Sequence, residues 1–144
     1  MSETELSRQD KIYKKFKELK IEAENVVKLD TYKMSNAFNN SSDIVRWITK
    51  KTEWSRVLRD LEVKRKKAYR IAYEYYQTEF ALKLTTKDEY ILFIESDENY
   101  VNHMQLSLLV KEVIQFIDST IDALKTKGYD IKNLIEWRKF TNGQ

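Results

Sequence analysis

The chain has 144 residues, no cysteine, no proline and only two glycines, Gly128 and Gly143. So few turn-forming residues argue against an all-β fold, and the missing thiols exclude disulfides, thiolate metal sites and cysteine nucleophiles. The net charge of +3 is small, the N-terminus MSETELSRQD has no apolar signal-peptide core, and no stretch approaches the roughly 18 apolar residues of a membrane span. The expectation is a soluble, cytoplasmic, all-α protein forming a single helical domain over residues 1–144.

In the first segment, Ile12, Phe16, Leu19, Ala23 and Val26 recur at spacings of four and three. That is one apolar stripe of a helix, placed within residues 1–29. Asp30 can cap a second helical region, 30–80, leading through Tyr32, Met34, Phe38, Ile44, Trp47 and Ile48. The run Asn39-Asn40-Ser41-Ser42 has poor helix propensity and allows a kink or loop.

From Thr52 to about Phe80, Trp54, Leu58, Leu61, Arg65, Ala68, Ala72 and Tyr75 follow a strict 4-3 spacing. This heptad seam, interrupted by one charge at Arg65, predicts packing against another helix within the subunit or between subunits. With the long apolar helix expected after residue 97, it predicts a homo-oligomer with coiled-coil character. The same region is basic. Arg46, Lys50, Lys51, Arg56, Arg59, Lys64, Arg65, Lys66, Lys67 and Arg70 face only Glu53, Asp60 and Glu62. Stepping one or two residues on from the seam moves about 100–200° around a helix. Those positions include Arg56, Arg59, Val63, Lys66, Arg70 and Tyr73, with Lys67 and Tyr69 beside them. Cations that track phosphates, with aromatic rings available for bases, are the two components of sequence-neutral single-strand binding. A solvated charged face is the plainer alternative, and core or interface packing suits Tyr75 and Tyr76.

Residues 81–96 admit a short hairpin around Thr85-Thr86-Lys87-Asp88, or a loop and one helical turn. Asp97 is a good N-cap for a helix carrying Met104, Leu106, Leu109, Val110, Val113, Phe116, Ile117, Ile121 and Leu124. Gly128 is expected to end that helix in a left-handed conformation. Asp130 would then cap a short final helix with Ile131, Leu134, Ile135, Trp137 and Phe140, docked on the helix before it.

Chemistry is sparse. His103 is the sole histidine and has no second ligand or thiol to work with. The glycines form no phosphate-cradling loop. Helical nucleotide pyrophosphohydrolases hold magnesium on facing clusters of glutamates. Here Glu95, Asp97 and Glu98 stand alone near a helix start, where capping explains them. No catalytic, metal-binding or cofactor-binding residue is assigned, and no cofactor or enzymatic activity is expected.

The C-terminal run from Ile121 to Phe140, with Gly128, Ile131, Lys132, Trp137, Arg138 and Phe140 at fixed spacing, resembles the terminal signature of the UvsY family of phage recombination mediators. Asp30 after an apolar residue, Trp47-Ile-Thr-Lys50, the basic helix ending Glu74-Tyr-Tyr76 and the step Ser96-Asp97 are similar to further places in that family. Where the family has Lys-x-Arg before Tyr-Tyr, this chain has Arg70-Ile71-Ala72, with Lys66 and Lys67 one turn earlier; Gln77 replaces a common glycine. The resemblance implies a ring-like homo-oligomer that binds single-stranded DNA in the infected bacterial host. It also implies two protein partners, the phage single-strand-binding protein and a RecA-class phage recombinase, which the mediator helps to load during recombination and repair. The rival reading is a helical scaffold protein without DNA binding. Were the α-helical basic row not the DNA surface, Lys125, Lys127, Lys132, Arg138 and Lys139 would be the alternative cations.

Overall fold

A computed structural model describes residues 3–29 and 38–143. All regular structure in them is helical: α1 (Glu3–Val27), α2 (Asn40–Thr78), α3 (Lys87–Glu95) and α4 (Glu98–Thr141). The all-α expectation holds, and no strand forms among the described residues. The chain divides into two compact units. One takes α1 through Tyr13 together with Trp54–Glu112; the other takes α1 from Lys14, α2 through Glu53, and α4 from Val113 onward.

Several boundaries differ from those expected. Asp30, Tyr32 and Met34 lie outside the described residues. Phe38, expected on a helical stripe, sits in a turn and is 85% exposed. The Asn39–Ser42 run does not kink a helix but begins one. The Asn39 carbonyl accepts the Asp43 amide at 2.9 Å and the Ser42 hydroxyl at 2.8 Å. Side chains that compete with interior helix bonds are suited to a helix start.

No hairpin forms in 81–96. Residues 80–86 are irregular, and Thr86 caps α3 in a reciprocal capping box: its hydroxyl accepts the Glu89 amide while the Glu89 carboxylate accepts the Thr86 amide. Asp97 caps α4 as expected, its carboxylate accepting the Tyr100 amide at 3.2 Å.

Gly128 neither turns the chain nor leaves the right-handed helix. α4 runs through it for 44 residues, so Asp130 starts no new helix and the C-terminal stretch does not fold back. One glycine costs a helix only about 1 kcal/mol, and Leu124, Ile131 and Leu134 keep the spacing regular across it. The side chain it faces is that of Asn40. A Cβ on Gly128 would stand 3.4 Å from the Asn40 amide nitrogen, which donates to the Leu124 carbonyl at 3.1 Å. The left-handed glycine is Gly143, at φ 68°, where its amide reaches the Phe140 carbonyl at 3.3 Å.

The second unit buries Leu19 and Ala23 of α1, Trp47 of α2, and Val113, Ile117, Ile121 and Leu124 of α4. Phe16 meets Phe116 edge-on at 5.6 Å. Lys127 is buried there and donates to the Val26 carbonyl at 2.9 Å, closing the end of α1. Burial holds its ammonium below the ordinary lysine range.

Candidate nucleic-acid interface

The basic face depends on what anchors the other side of α2. In the first unit Leu61, Ala68 and Ala72 are buried, with Trp54 and Leu58 half-buried. These seam positions are buried or half-buried within the chain itself. The seam's last member departs: Tyr75 is 44% exposed, and Tyr76 turns inward instead. A strict seven-residue repeat drifts about 20° per heptad on a straight helix, roughly 60° from Trp54 to Tyr75. Tyr76 therefore takes over the packed side. Its hydroxyl donates to Asp97 at 3.0 Å, and its ring meets Phe80 at 5.0 Å and Phe93 at 5.7 Å. Burial, then the Asp97 carboxylate, pushes that phenol up to about 12.

The charged interruption of the seam is also satisfied internally. The Arg65 guanidinium pairs with Glu62 at 2.7 Å and donates to the Tyr100 hydroxyl at 3.1 Å. Lys111 adds a second cation 3.5 Å from Glu62. The hydrogen bonds from Arg65, aided by both charges, hold the Glu62 carboxyl below its usual range against partial burial.

The ten cations from Arg46 to Arg70 divide by partner. Arg46 reaches Glu22 and Asp43, Lys50 reaches Glu22, and Lys51 reaches Asp118 at 2.7 Å. Arg65 is engaged by Glu62. Arg70 makes one long contact, 3.9 Å, with Glu74, both largely exposed. Arg56, Arg59, Lys66 and Lys67 are exposed and form no ion pair among the described residues, and the same holds for Lys64. Arg56, Arg59, Lys66, Lys67 and Arg70 are thus all exposed on α2, with Val63 exposed among them.

The two tyrosines beside that row separate. Tyr69 is half-buried and packs edge-on against the buried Tyr100, ring centroids 5.5 Å apart. Tyr73 is 41% exposed and leans on Tyr90 of α3 at 5.4 Å with a 43° tilt. The sequence analysis gives Tyr90 no role; the Thr86-x-x-Glu89 capping pattern is the signal that could have placed it on a helix. Of the alternative cations, Lys127 is committed to its buried bond, while Lys125, Lys132 and Lys139 are exposed. Among the described residues no group of three or more acidic or histidine side chains is placed to hold a metal ion, and no helix is long and apolar enough to cross a membrane.

Residues 20–144 match the UvsY family, described as recombination, repair and ssDNA binding protein. The chain belongs to the UvsY family. Crystal structures of the bacteriophage T4 recombination mediator protein UvsY share its fold. In one lattice the TM-score is 0.80 at 21% identity, covering 87% of this chain and 97% of the other. In two further lattices it is 0.77 and 0.78, each at 22% identity, covering 86% and 88% of this chain and 98% and 96% of the other. No curated protein sequence matches the chain. Family membership gives the coarse function: a recombination and repair protein of the single-strand DNA-binding kind.

Proposed function

We propose that this protein is a non-enzymatic recombination mediator acting in the cytoplasm of an infected bacterial cell. It holds single-stranded DNA on the solvent face of α2 and helps a RecA-class phage recombinase load where single-strand-binding protein covers the strand. The observation that supports the DNA surface best is the division of cations along α2: those before Trp54 are matched by acids, whereas of those after it only Arg65 is closely paired, Arg70 makes one long contact with Glu74, and the rest form no ion pair among the described residues. Unmatched cations on a helix packed along its other side can replace counterions on a flexible strand without distorting the fold.

Assembly belongs to the same reading. Beyond Gly128 no described residue of α4 is buried, and Tyr129, Trp137 and Phe140 are 71%, 61% and 76% exposed. Apolar surface of this kind marks an interface. A homo-oligomer, ring-like in the family reading, would present many copies of the cationic row, and joined weak sites gain avidity through effective concentration.

The direct test adds the protein to single-stranded DNA covered by single-strand-binding protein and follows the DNA-dependent ATPase of the phage recombinase. The lag should shorten with wild-type protein and persist with Lys66→Ala/Arg70→Ala. An unchanged lag with wild-type protein, in the presence of measurable DNA binding, would leave a DNA-binding protein that is no mediator.

A further inference from the structure

We infer that Tyr73 and Tyr90 form a base-stacking step at the end of the cationic row, so that a strand passes from α2 onto α3. The inference rests on the α2 DNA surface proposed above and adds the part of the ligand that surface leaves undescribed, the bases.

Four observations converge on this pair. Tyr73 lies on the same broad face as Arg70 and Lys66, one helical turn beyond Arg70, and keeps 41% of its surface open. Its ring is not free to wander, because Tyr90 supports it from α3 at 5.4 Å. A second aromatic contact, Tyr76 with Phe93, lies three residues further along both helices. Phe93 also meets Phe80 at 5.2 Å. These ring contacts hold α3 against the end of α2, while the exposed Tyr73 rests on the half-buried Tyr90. Finally, α3 is fixed at its start. The Glu89 carboxylate accepts the Thr85 and Thr86 amides at 2.9 and 3.4 Å, which draws it below the usual carboxylate range. That charge is held against backbone donors beside the Tyr90 ring.

A ring held in place before binding loses little conformational freedom when a base lies on it, and every base offers a π-face. The step should therefore favour bases over bare backbone without preferring a sequence. Lys87, one turn before Tyr90 on α3 and exposed, supplies a cation for the phosphate beyond the step. Tyr69 is less open than Tyr73, since it is half-buried against the buried Tyr100.

The experiment compares an oligodeoxynucleotide with an abasic strand of equal length, at fixed salt, for the full-length protein. Tyr90→Ala and Tyr73→Ala should each weaken binding of the base-bearing strand by about 5- to 100-fold, the scale of one stack removed. Affinity for the abasic strand and the salt slope should stay as in wild type. Tyr90→Phe should retain most of the base preference, because the ring face remains. Should Tyr90→Ala unfold α3, the wild-type protein decides: irradiated strands carrying 5-iodouracil should crosslink to Tyr73 or Tyr90. Crosslinks confined to other residues, or a Tyr90→Ala protein with an unchanged base preference, would overturn the step. If Lys66→Ala/Arg70→Ala still loses DNA binding in that case, the α2 surface stands and only the stacking step fails. If that variant binds as wild type too, both fall.

Discussion

Two stretches of helix leave much of their surface uncovered, and they are built in opposite ways. In α2 from Trp54 to Arg70 one side is packed on Leu61 and Ala68 while the other carries cations. In α4 beyond Gly128 no described residue is buried, and Ile135, Trp137 and Phe140 face outward. The first arrangement is complete within the chain: its exposed side is mostly charged, and its other side is packed. The second is less covered: only Ile131 and Leu134 are half-buried, and large apolar side chains stay exposed beside them. Exposure alone therefore does not define a binding surface; in the proposed reading, what stands behind the exposed residues separates a DNA-tracking face from an assembly face.

The sharpest way to break this contrast is to damage each stretch and read stability and mass together. Leu61→Ala removes a fully packed side chain and should cost about 2–5 kcal/mol in urea unfolding. Phe140→Asp should change little in the unfolding of the separated subunit, but should lower the mass seen by light scattering at micromolar concentration. Equal loss of subunit stability in both variants would mean that the C-terminal stretch is packed as well as α2 is.

Next in size is the internal pairing behind the cationic face. Glu62→Gln should cost roughly 1–3 kcal/mol at pH 7, the range for hydrogen bonds to charged groups. Because the folded carboxyl titrates below its unfolded value, its contribution is complete above the unfolded value and fades as pH falls through the folded one. Denaturation curves at pH 7 and at low pH should therefore show the gap between wild type and variant closing on acidification. A gap that persists unchanged below the carboxylate range would remove the charge from the explanation.

The smallest stability effect carries the clearest sign. Gly128→Ala should stabilise by up to about 1 kcal/mol, since Gly128 is helical and the added Cβ meets Asn40 at an ordinary contact distance of 3.4 Å. A left-handed residue would give the reverse. Thermal unfolding distinguishes the two by whether the melting temperature rises or falls.

Much of this was legible in the sequence where period and chemistry agreed. The stripe through Ile12, Leu19 and Ala23, the seam through Leu61 and Ala72, and the cap at Asp97 all follow from local spacing. The losses came where a local signal had two outcomes. Gly128 reads as a helix end until the apolar spacing is followed through it, and then the true end signal is Gly143. Thr85-Thr86-Lys87-Asp88 resembles a turn between strands until Glu89 is read as the partner of Thr86. Nor does a helical wheel name the acid that a cation finds on another helix: only tertiary structure pairs Lys51 with Asp118. The separation of Tyr69 from Tyr73 is likewise set by Tyr100 and Tyr90, residues distant along the chain.

The measurement closest to the central claim is the salt dependence of single-stranded DNA binding, compared across the two exposed stretches. Lys66→Ala/Arg70→Ala on α2 and Lys132→Ala/Lys139→Ala on α4 remove the same formal charge. If the α2 face meets the strand, the first variant should bind more weakly to every sequence tested. Its slope of log affinity against log salt should be shallower by roughly 0.7 for each phosphate that is no longer neutralised. The second should keep the wild-type slope. A folded, normally assembled α2 variant with wild-type affinity and slope, alongside an α4 variant with both reduced, would contradict the account and move the DNA to the C-terminal helix.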